Sequence, residues 1–231
     1  MLKRSVAVIS IVSALFVASN ALADDDRVFP PDAQPFGLSY SQWTVRWWEW
    51  VLSIPSSANP AADNATTGAG VFCGVGQQGP VWNLAGVFSN LNPIPVPTRT
   101  CSIPAGRAIF VPIINGECST AEGNGSTEAQ LRSCAVSQLQ PVDLVQAELD
   151  GVPIGDLDDF AFQSPQFTFW LPADNVIGVL GAPLTTPSVA DGFFVMLKPL
   201  SVGNHTLHFK GGITGPGGFI IEATYHLHIV P

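Results

Sequence analysis

All four histidines of the chain lie near its C-terminal end, at positions 205, 208, 226 and 228. Residues two apart in a β-strand point to the same face of a sheet, about 7 Å from each other. His226 and His228 therefore form an H-x-H pair that offers two imidazole ligands to a metal ion. A hairpin register that matches the faces sets His208 opposite Glu222, roughly 13 Å from His226, which is too far for one metal. Solvent-facing histidines without a metal are the alternative, and no metal site is favoured.

Carboxylates are the second set of groups that could carry chemistry. Glu117 directly follows a predicted strand, in the segment INGEC, and Glu49 lies in the segment WWEWVL. Paired carboxylates act as acid and base in glycoside hydrolysis at separations of up to about 9.5 Å. The chain has no G-x-S-x-G, H-E-x-x-H or phosphate-loop motif that would specify a catalytic centre. A hydrolase or lyase that uses Glu49 and Glu117 in a groove is therefore kept as an alternative to a non-enzymatic role.

A polar ridge runs along the segment SQWTVRWWEWVLSIP, residues 41–55, which contains four of the six tryptophans. On a helix, Gln42, Arg46 and Glu49 fall on one narrow stripe, and the rest of the surface is apolar. Arg46 and Glu49 are three residues apart and can form an ion pair. One interpretation is a structural salt bridge at a seam between helix and sheet. The other is a small polar ligand site formed by Gln42, Trp43, Arg46 and Glu49.

The same segment is predicted to be a helix that packs against the rest of the domain. Ser39 and Gln42 match a capping box at its start, and Pro55 ends it. A helix that is apolar on nearly all sides is mostly buried. The alternatives are aromatic rings that bind a sugar and an interfacial helix that contacts a membrane or a partner.

Four cysteines occur in the chain, at positions 73, 101, 118 and 134. An even number in an exported chain indicates two disulfides, for which three pairings exist. Cys73–Cys101 and Cys118–Cys134 are favoured because sequential pairs close the shortest loops. Zinc is the competing interpretation, but there is no C-x-x-C motif and no cysteine lies close to a histidine.

The N-terminal segment MLKRSVAVISIVSALFVASNALA has the pattern of a secretory signal peptide. Two basic residues precede an apolar run that an A-x-A motif closes, so cleavage is predicted after Ala23. A transmembrane anchor is the alternative, but the run is short for a bilayer. No later stretch is long and apolar enough to span a membrane. We therefore expect a secreted or periplasmic protein without a transmembrane segment after cleavage.

The predicted mature chain is strongly acidic. Two of the nine basic residues leave with the signal peptide and all 18 acidic residues remain, which gives a net charge of −11. Such a chain is repelled by phosphate groups, so nucleic acid and anionic membranes are excluded as partners.

Most of the remaining chain reads as short strands between turns, and it contains 22 glycines and 20 prolines. One hairpin is predicted with a type I′ turn at Asp150–Gly151, and another joins NHTLHFK to FIIEATYHLHIV. A short helix is predicted after Thr127, with Gln130 completing its capping box and Cys118–Cys134 holding it. The pattern predicts a mainly β fold, an antiparallel β-sandwich or jelly roll, with the Trp-rich helix packed on it. The expected organisation is a signal peptide at 1–23, an extended leader at 24–37 and one domain at 38–231.

Two stretches also carry a resemblance. The segment DGFFVMLKPLSVGNHTLHFKGG followed by EATYHLHIV, together with CSIPAGRAIFVPIINGEC, resembles parts of secreted bacterial β-sandwich proteins of unassigned function. The resemblance covers about half of the chain. It implies the fold and export, and it brings no catalytic residues with it.

These observations favour a secreted, disulfide-stabilised β-sandwich domain that is not an enzyme. We expect it to bind a ligand or a surface partner, with a glycan as one candidate, and we predict no cofactor. The alternatives are a hydrolase or lyase that uses carboxylates and a metal-binding protein that uses His226 and His228.

Overall fold

The computed structural model describes residues 25–63, 72–88 and 94–231. The predicted signal peptide lies outside these ranges. Within them the chain is mainly strand, arranged as two five-stranded sheets with two α-helices, so the mainly β prediction is confirmed. The strands are, in chain order, β1 (Val81–Asn83), β2 (Thr98–Pro104), β3 (Ala108–Ser119), β4 (Leu144–Leu149), β5 (Val152–Pro153), β6 (Ala161–Gln163), β7 (Phe167–Leu171), β8 (Leu184–Leu197), β9 (Gly203–Gly212) and β10 (Ile220–Val230).

The first sheet is built around β8, its longest strand. β8 pairs antiparallel with β3 on one side and with β6 on the other, and its first residues pair antiparallel with β7. β1 lies on the other side of β3 and runs parallel to it. β3 is therefore an inner strand, and its register shifts between Pro112 and Ile114, which forms a β-bulge.

The second sheet has the order β2–β10–β9–β4–β5. β10, β9, β4 and β5 are mutually antiparallel neighbours, whereas β2 runs parallel to β10. Asp150 and Gly151 connect β4 to β5 with φ angles of 56° and 75°, the positive values that a type I′ turn requires. Both sheets are mixed, so the expectation of purely antiparallel sheets is wrong. Each sheet includes one parallel pair, β1–β3 in the first and β2–β10 in the second. Parallel neighbours need a connection longer than a hairpin turn.

The tryptophan segment forms the helix α1, Tyr40–Ser53. The Ser39 side chain accepts from the Gln42 backbone N–H, and the Gln42 side chain accepts from the Ser39 backbone N–H, so the predicted capping box is present. All four tryptophans of α1 are buried, and they belong to the same hydrophobic cluster as the buried residues of both sheets.

The second helix, α2 (Glu128–Leu139), begins at a capping box formed by Thr127 and Gln130. The disulfide Cys118–Cys134 joins it to the end of β3. A second disulfide, Cys73–Cys101, joins the loop before β1 to β2. These are the two sequential pairs that the spacing of the cysteines favours.

The two sheets come into close contact at Gly211 of β9. A Cβ atom at this position would lie 2.6 Å from Ile114 Cβ on β3, so only glycine fits there. The segment before α1 also packs on the first sheet, because Val28 forms a bridge with Leu197 and its side chain is buried. Neither α1 nor α2, the α-helices within the described ranges, is long and apolar enough to cross a membrane.

Candidate functional site

A cavity of about 520 Å³ is bounded by α1, α2, β3 and the start of β10. The loop after β1 and the loop before β8 complete its walls. Most of the lining side chains are apolar or aromatic, and polar groups are grouped near the end of β3 and the end of α2. The described lining residues that matter for chemistry and shape are Trp47, Trp48, Phe88, Ile113, Glu117, Glu122, Gln138, Ile177 and Phe219.

The four indoles of α1 differ in their hydrogen bonds. Trp43 Nε1 donates to the Pro35 carbonyl at 3.0 Å, Trp47 Nε1 to the Leu84 carbonyl at 2.7 Å and Trp50 Nε1 to the Val75 carbonyl at 3.0 Å. Trp48 Nε1 is buried and has no partner among the described residues. A buried indole N–H normally finds an acceptor. Trp48, which lines the cavity, therefore has a buried donor that no described residue uses.

Glu117, near the end of β3, presents an unused acceptor at the same cavity. The residue is 8% exposed, and its Oε1 atom has no partner within the described chain. Its Oε2 atom lies 2.5 Å from Ser188 Oγ on β8, and the same hydroxyl lies 3.0 Å from the Cys118 carbonyl. The Ser188 hydroxyl is the donor in both contacts and is shared between the two oxygens as a three-centre hydrogen bond.

The surroundings of Glu117 shift the pKa of its carboxyl. Burial raises the pKa of the Glu117 carboxyl well above its ordinary value, and the neighbouring Glu122 raises this pKa further by hydrogen bonding and charge repulsion. The hydrogen bond from Ser188 acts in the opposite direction but does not compensate. Glu122 also accepts a hydrogen bond from Ser119 Oγ at 2.9 Å.

Local sequence explains how β3 supplies one wall. Pro112 cannot donate a hydrogen bond in the ladder, and the strand bulges directly after it. The disulfide at Cys118 then brings the end of α2 over the strand. Gly116 has no side chain, which allows Gln138 of α2 to lie against the strand: an added Cβ would be 2.4 Å from Gln138 Oε1.

The opposite wall is held by hydrogen bonds to the loop after β1. Trp47 binds the Leu84 carbonyl, and the buried guanidinium of Arg99 donates to the carbonyls of Ala85 and Gly86. Arg99 also donates to the hydroxyl of Tyr225 at 2.6 Å. The loop is therefore fixed by side chains from α1 and from the second sheet.

The polar ridge of α1 does not line this cavity. Arg46 and Glu49 form an ion pair of 3.3 Å, with side chains 63% and 36% exposed. Gln42 is engaged in the capping box, and Trp43 is buried against Pro35. None of the four is among the described residues that line the cavity, so the structure does not bring Glu49 to the same cavity as Glu117.

The histidine pair lies on the outer face of the second sheet. His226 and His228 are both exposed, and His228 contacts Asn204. His208 is opposite Thr224 rather than Glu222, because the hairpin register differs by two residues from the expected one. His208 still reaches Glu222 diagonally, at 2.9 Å. No group of three or more potential metal ligands is arranged around one point in the described part of the chain.

One arrangement that the sequence did not indicate joins Ser201, His205 and Asp150. His205 Nδ1 is 2.8 Å from Asp150 Oδ2, and its Nε2 is 3.3 Å from Ser201 Oγ. Although this order resembles a nucleophile–base–acid triad, Nε2 is also 3.0 Å from the Ser201 carbonyl, which can only accept a hydrogen bond. The imidazole therefore connects two loops and is not free to act as a base for the serine.

Comparisons with protein-family models, with curated proteins and with solved structures found no match to this chain. The function is therefore argued from the geometry of the site.

Proposed function

We propose that the chain is an exported β-sandwich protein that binds a small, largely apolar ligand in the cavity between α1, α2 and β3. One observation carries the proposal. Trp48 and Glu117 both line the cavity, and each has one buried polar atom, Trp48 Nε1 and Glu117 Oε1, that has no hydrogen-bond partner among the described residues.

Energetics supports a ligand at this place. A buried polar atom without a hydrogen bond costs about 1–3 kcal/mol, so each such atom opposes folding unless something binds it. A ligand with an acceptor for Trp48 and a donor for Glu117 would recover these costs. The cavity volume of about 520 Å³ falls within the range of small-molecule sites, about 300–1,000 Å³, whose walls are likewise mostly apolar.

The cavity is also preformed. A disulfide fixes α2 on β3, and hydrogen bonds from Trp47 and Arg99 fix the loop after β1. A rigid site loses little conformational entropy when it binds, which favours binding of a small molecule over large-scale closure.

Export and the sandwich arrangement have separate support. Two disulfides are typical of proteins outside the reducing cytosol. The two sheets contribute buried residues to one hydrophobic cluster, as the two layers of a sandwich do.

A glycan-binding role is supported less well by these residues. Sugar platforms need an exposed aromatic ring. The tryptophans of α1 are buried, and Trp170 on β7 is the half-exposed tryptophan of the described chain, at 49%. A glycan would therefore bind at β7 and not at the tryptophan helix.

Fluorescence of the neutral solvatochromic dye prodan tests the ligand site. We expect saturable binding with a blue-shifted emission. Ile177 lines the cavity and Leu180, in the same loop, is 94% exposed and does not. Ile177→Trp should fill the cavity and weaken prodan binding by about tenfold or more, whereas Leu180→Trp should leave it unchanged. Equal binding by both variants, or no binding by the unmodified protein, would refute the site.

A further inference from the structure

We infer that the ligand of this cavity is an organic amine in its cationic form, held at its ammonium group by Glu117 and Glu122. This inference rests on the proposed function, because it specifies the chemistry of the ligand that the cavity binds.

The charges at the cavity favour a cation. Glu117 and Glu122 are the only ionisable side chains among its described lining residues, which include no lysine, arginine or histidine. An ammonium group between two carboxyl groups gains charge-assisted hydrogen bonds, which are roughly twice as strong as neutral ones. A carboxylate or phosphate ligand would instead meet two acidic groups and no basic side chain in the described lining.

The aromatic walls favour the same class of ligand. Trp47, Trp48, Phe88 and Phe219 line the cavity together with aliphatic residues of β3. Aromatic faces attract cations and also bury the apolar body of an amine. The unused N–H of Trp48 adds a requirement for an acceptor on the ligand, such as a phenol, ether or carbonyl oxygen.

Protonation of Glu117 provides an independent readout. At a pH between 4.5 and the raised pKa of Glu117, the free protein holds a proton on this carboxyl, because burial and Glu122 raise its pKa. A bound ammonium group stabilises the ionised carboxylate and therefore expels this proton. Amine binding should release a proton to the buffer, and its affinity should increase as the pH rises through the raised pKa of Glu117. A neutral alcohol should release none.

Three phenolic probes of similar shape separate the alternatives: tyramine, which carries an amine, tyrosol, which carries an alcohol, and phloretate, which carries a carboxylate. Calorimetric titration in two buffers of different ionisation enthalpy measures both affinity and proton release. We expect tyramine to bind at least about tenfold more tightly than tyrosol, and phloretate to bind most weakly.

Glu117→Gln and Glu122→Gln should each reduce the preference for tyramine over tyrosol. Glu128→Gln is the matched control, because Glu128 lies on α2 in an exposed pair with Arg132 and does not line the cavity. Thermal unfolding checks that every variant folds. Equal affinity of tyramine and tyrosol, tighter binding of phloretate, or tyramine binding without proton release would overturn the amine assignment while prodan binding still supports a ligand site. Failure of prodan and all three probes would overturn both.

Discussion

At the scale of single residues, the central contrast is between two adjacent tryptophans. Trp47 and Trp48 are both buried and their rings meet edge to face at 4.8 Å. Trp47 donates to a backbone carbonyl and fixes a loop, whereas Trp48 donates to no described residue. The first indole therefore serves the fold, and the second is available to a ligand.

This contrast predicts different costs for the same substitution. Trp47→Phe removes a buried hydrogen bond and leaves the Leu84 carbonyl unsatisfied, which should lower the free energy of unfolding by about 1–3 kcal/mol beyond the loss of ring area. Trp48→Phe removes an unused donor and should cost less. Urea denaturation of the two variants measures the difference, and a Trp48→Phe variant that is the less stable of the two would contradict the assignment.

Glu117 predicts a pH dependence with a definite sign. The pKa of this carboxyl is higher in the folded protein than its ordinary value of 4.5. As the pH rises above 4.5 the unfolded chain releases this proton while the folded protein keeps it, so Glu117 lowers stability progressively until the folded pKa is passed. Glu117→Gln should therefore gain stability relative to the unmodified protein as the pH rises above 4.5. Denaturation across this range measures it, and a difference that shrinks with pH would be contrary to the prediction.

His205 also has a raised pKa, but its charged form makes a stabilising contribution at low pH. Burial lowers the pKa of His205, but the hydrogen bond to Asp150, the Ser201 carbonyl and the Asp150 charge raise it overall above 6.5. Its contribution to stability is complete below the unfolded pKa and is lost as the pH rises through the folded pKa. His205→Gln should thus destabilise most near pH 5.5 and least at high pH. His226→Gln, an exposed histidine of β10, is the control and should change little.

Some residues of the site could be predicted from the sequence and others could not. Glu117 stood out because it ends a long apolar strand, where the backbone holds a side chain rigidly. Glu122 and Trp48 could not be found this way. The role of Glu122 depends on a loop that folds back to β3, and the difference between Trp48 and Trp47 depends on a carbonyl supplied from residue 84.

At the scale of elements, α2 is a wall of the cavity, and a disulfide joins it to β3. The helix has few buried residues, Leu131 and Ala135 among those described. A loop of about 15 residues closed by a disulfide contributes roughly 3 kcal/mol, and Cys118–Cys134 closes one of similar length.

Removing this disulfide should therefore affect binding as well as stability. The double variant Cys118→Ser and Cys134→Ser is expected to lose about 3 kcal/mol and to bind prodan more weakly, because the end of α2 lines the cavity. Cys73→Ser with Cys101→Ser is the matched control: neither cysteine lines the cavity, so stability should fall with a smaller effect on binding. Equal losses of affinity in the two double variants would argue against α2 as a wall.

Both capping boxes and the Asp150–Gly151 turn could be predicted from sequence because their signals are local. The register of the last hairpin could not. A glycine-rich loop of several residues admits registers that differ by two, and all of them keep the same side chains in the core. The pairing of Gly212 with Ile220 decides between them.

At the scale of the whole molecule, two mixed sheets share one core with α1. A strand with one buried face has an apolar residue at every second position. This alternation predicted the mainly β composition. It did not predict the parallel pairs β1–β3 and β2–β10, which depend on how distant segments are ordered within each sheet. The cavity arises at the junction of four such segments, so no single motif encodes it.

The measurement that most directly tests this account is the NMR spectrum of the tryptophan indole N–H groups during titration with tyramine. Trp48→Phe assigns the Trp48 signal. We expect the largest change at the Trp48 signal, while the signals of Trp43 and Trp50, whose indoles donate to the Pro35 and Val75 carbonyls, stay in place. An unchanged Trp48 signal, or a change confined to the exposed Trp170, would contradict a ligand site at this cavity.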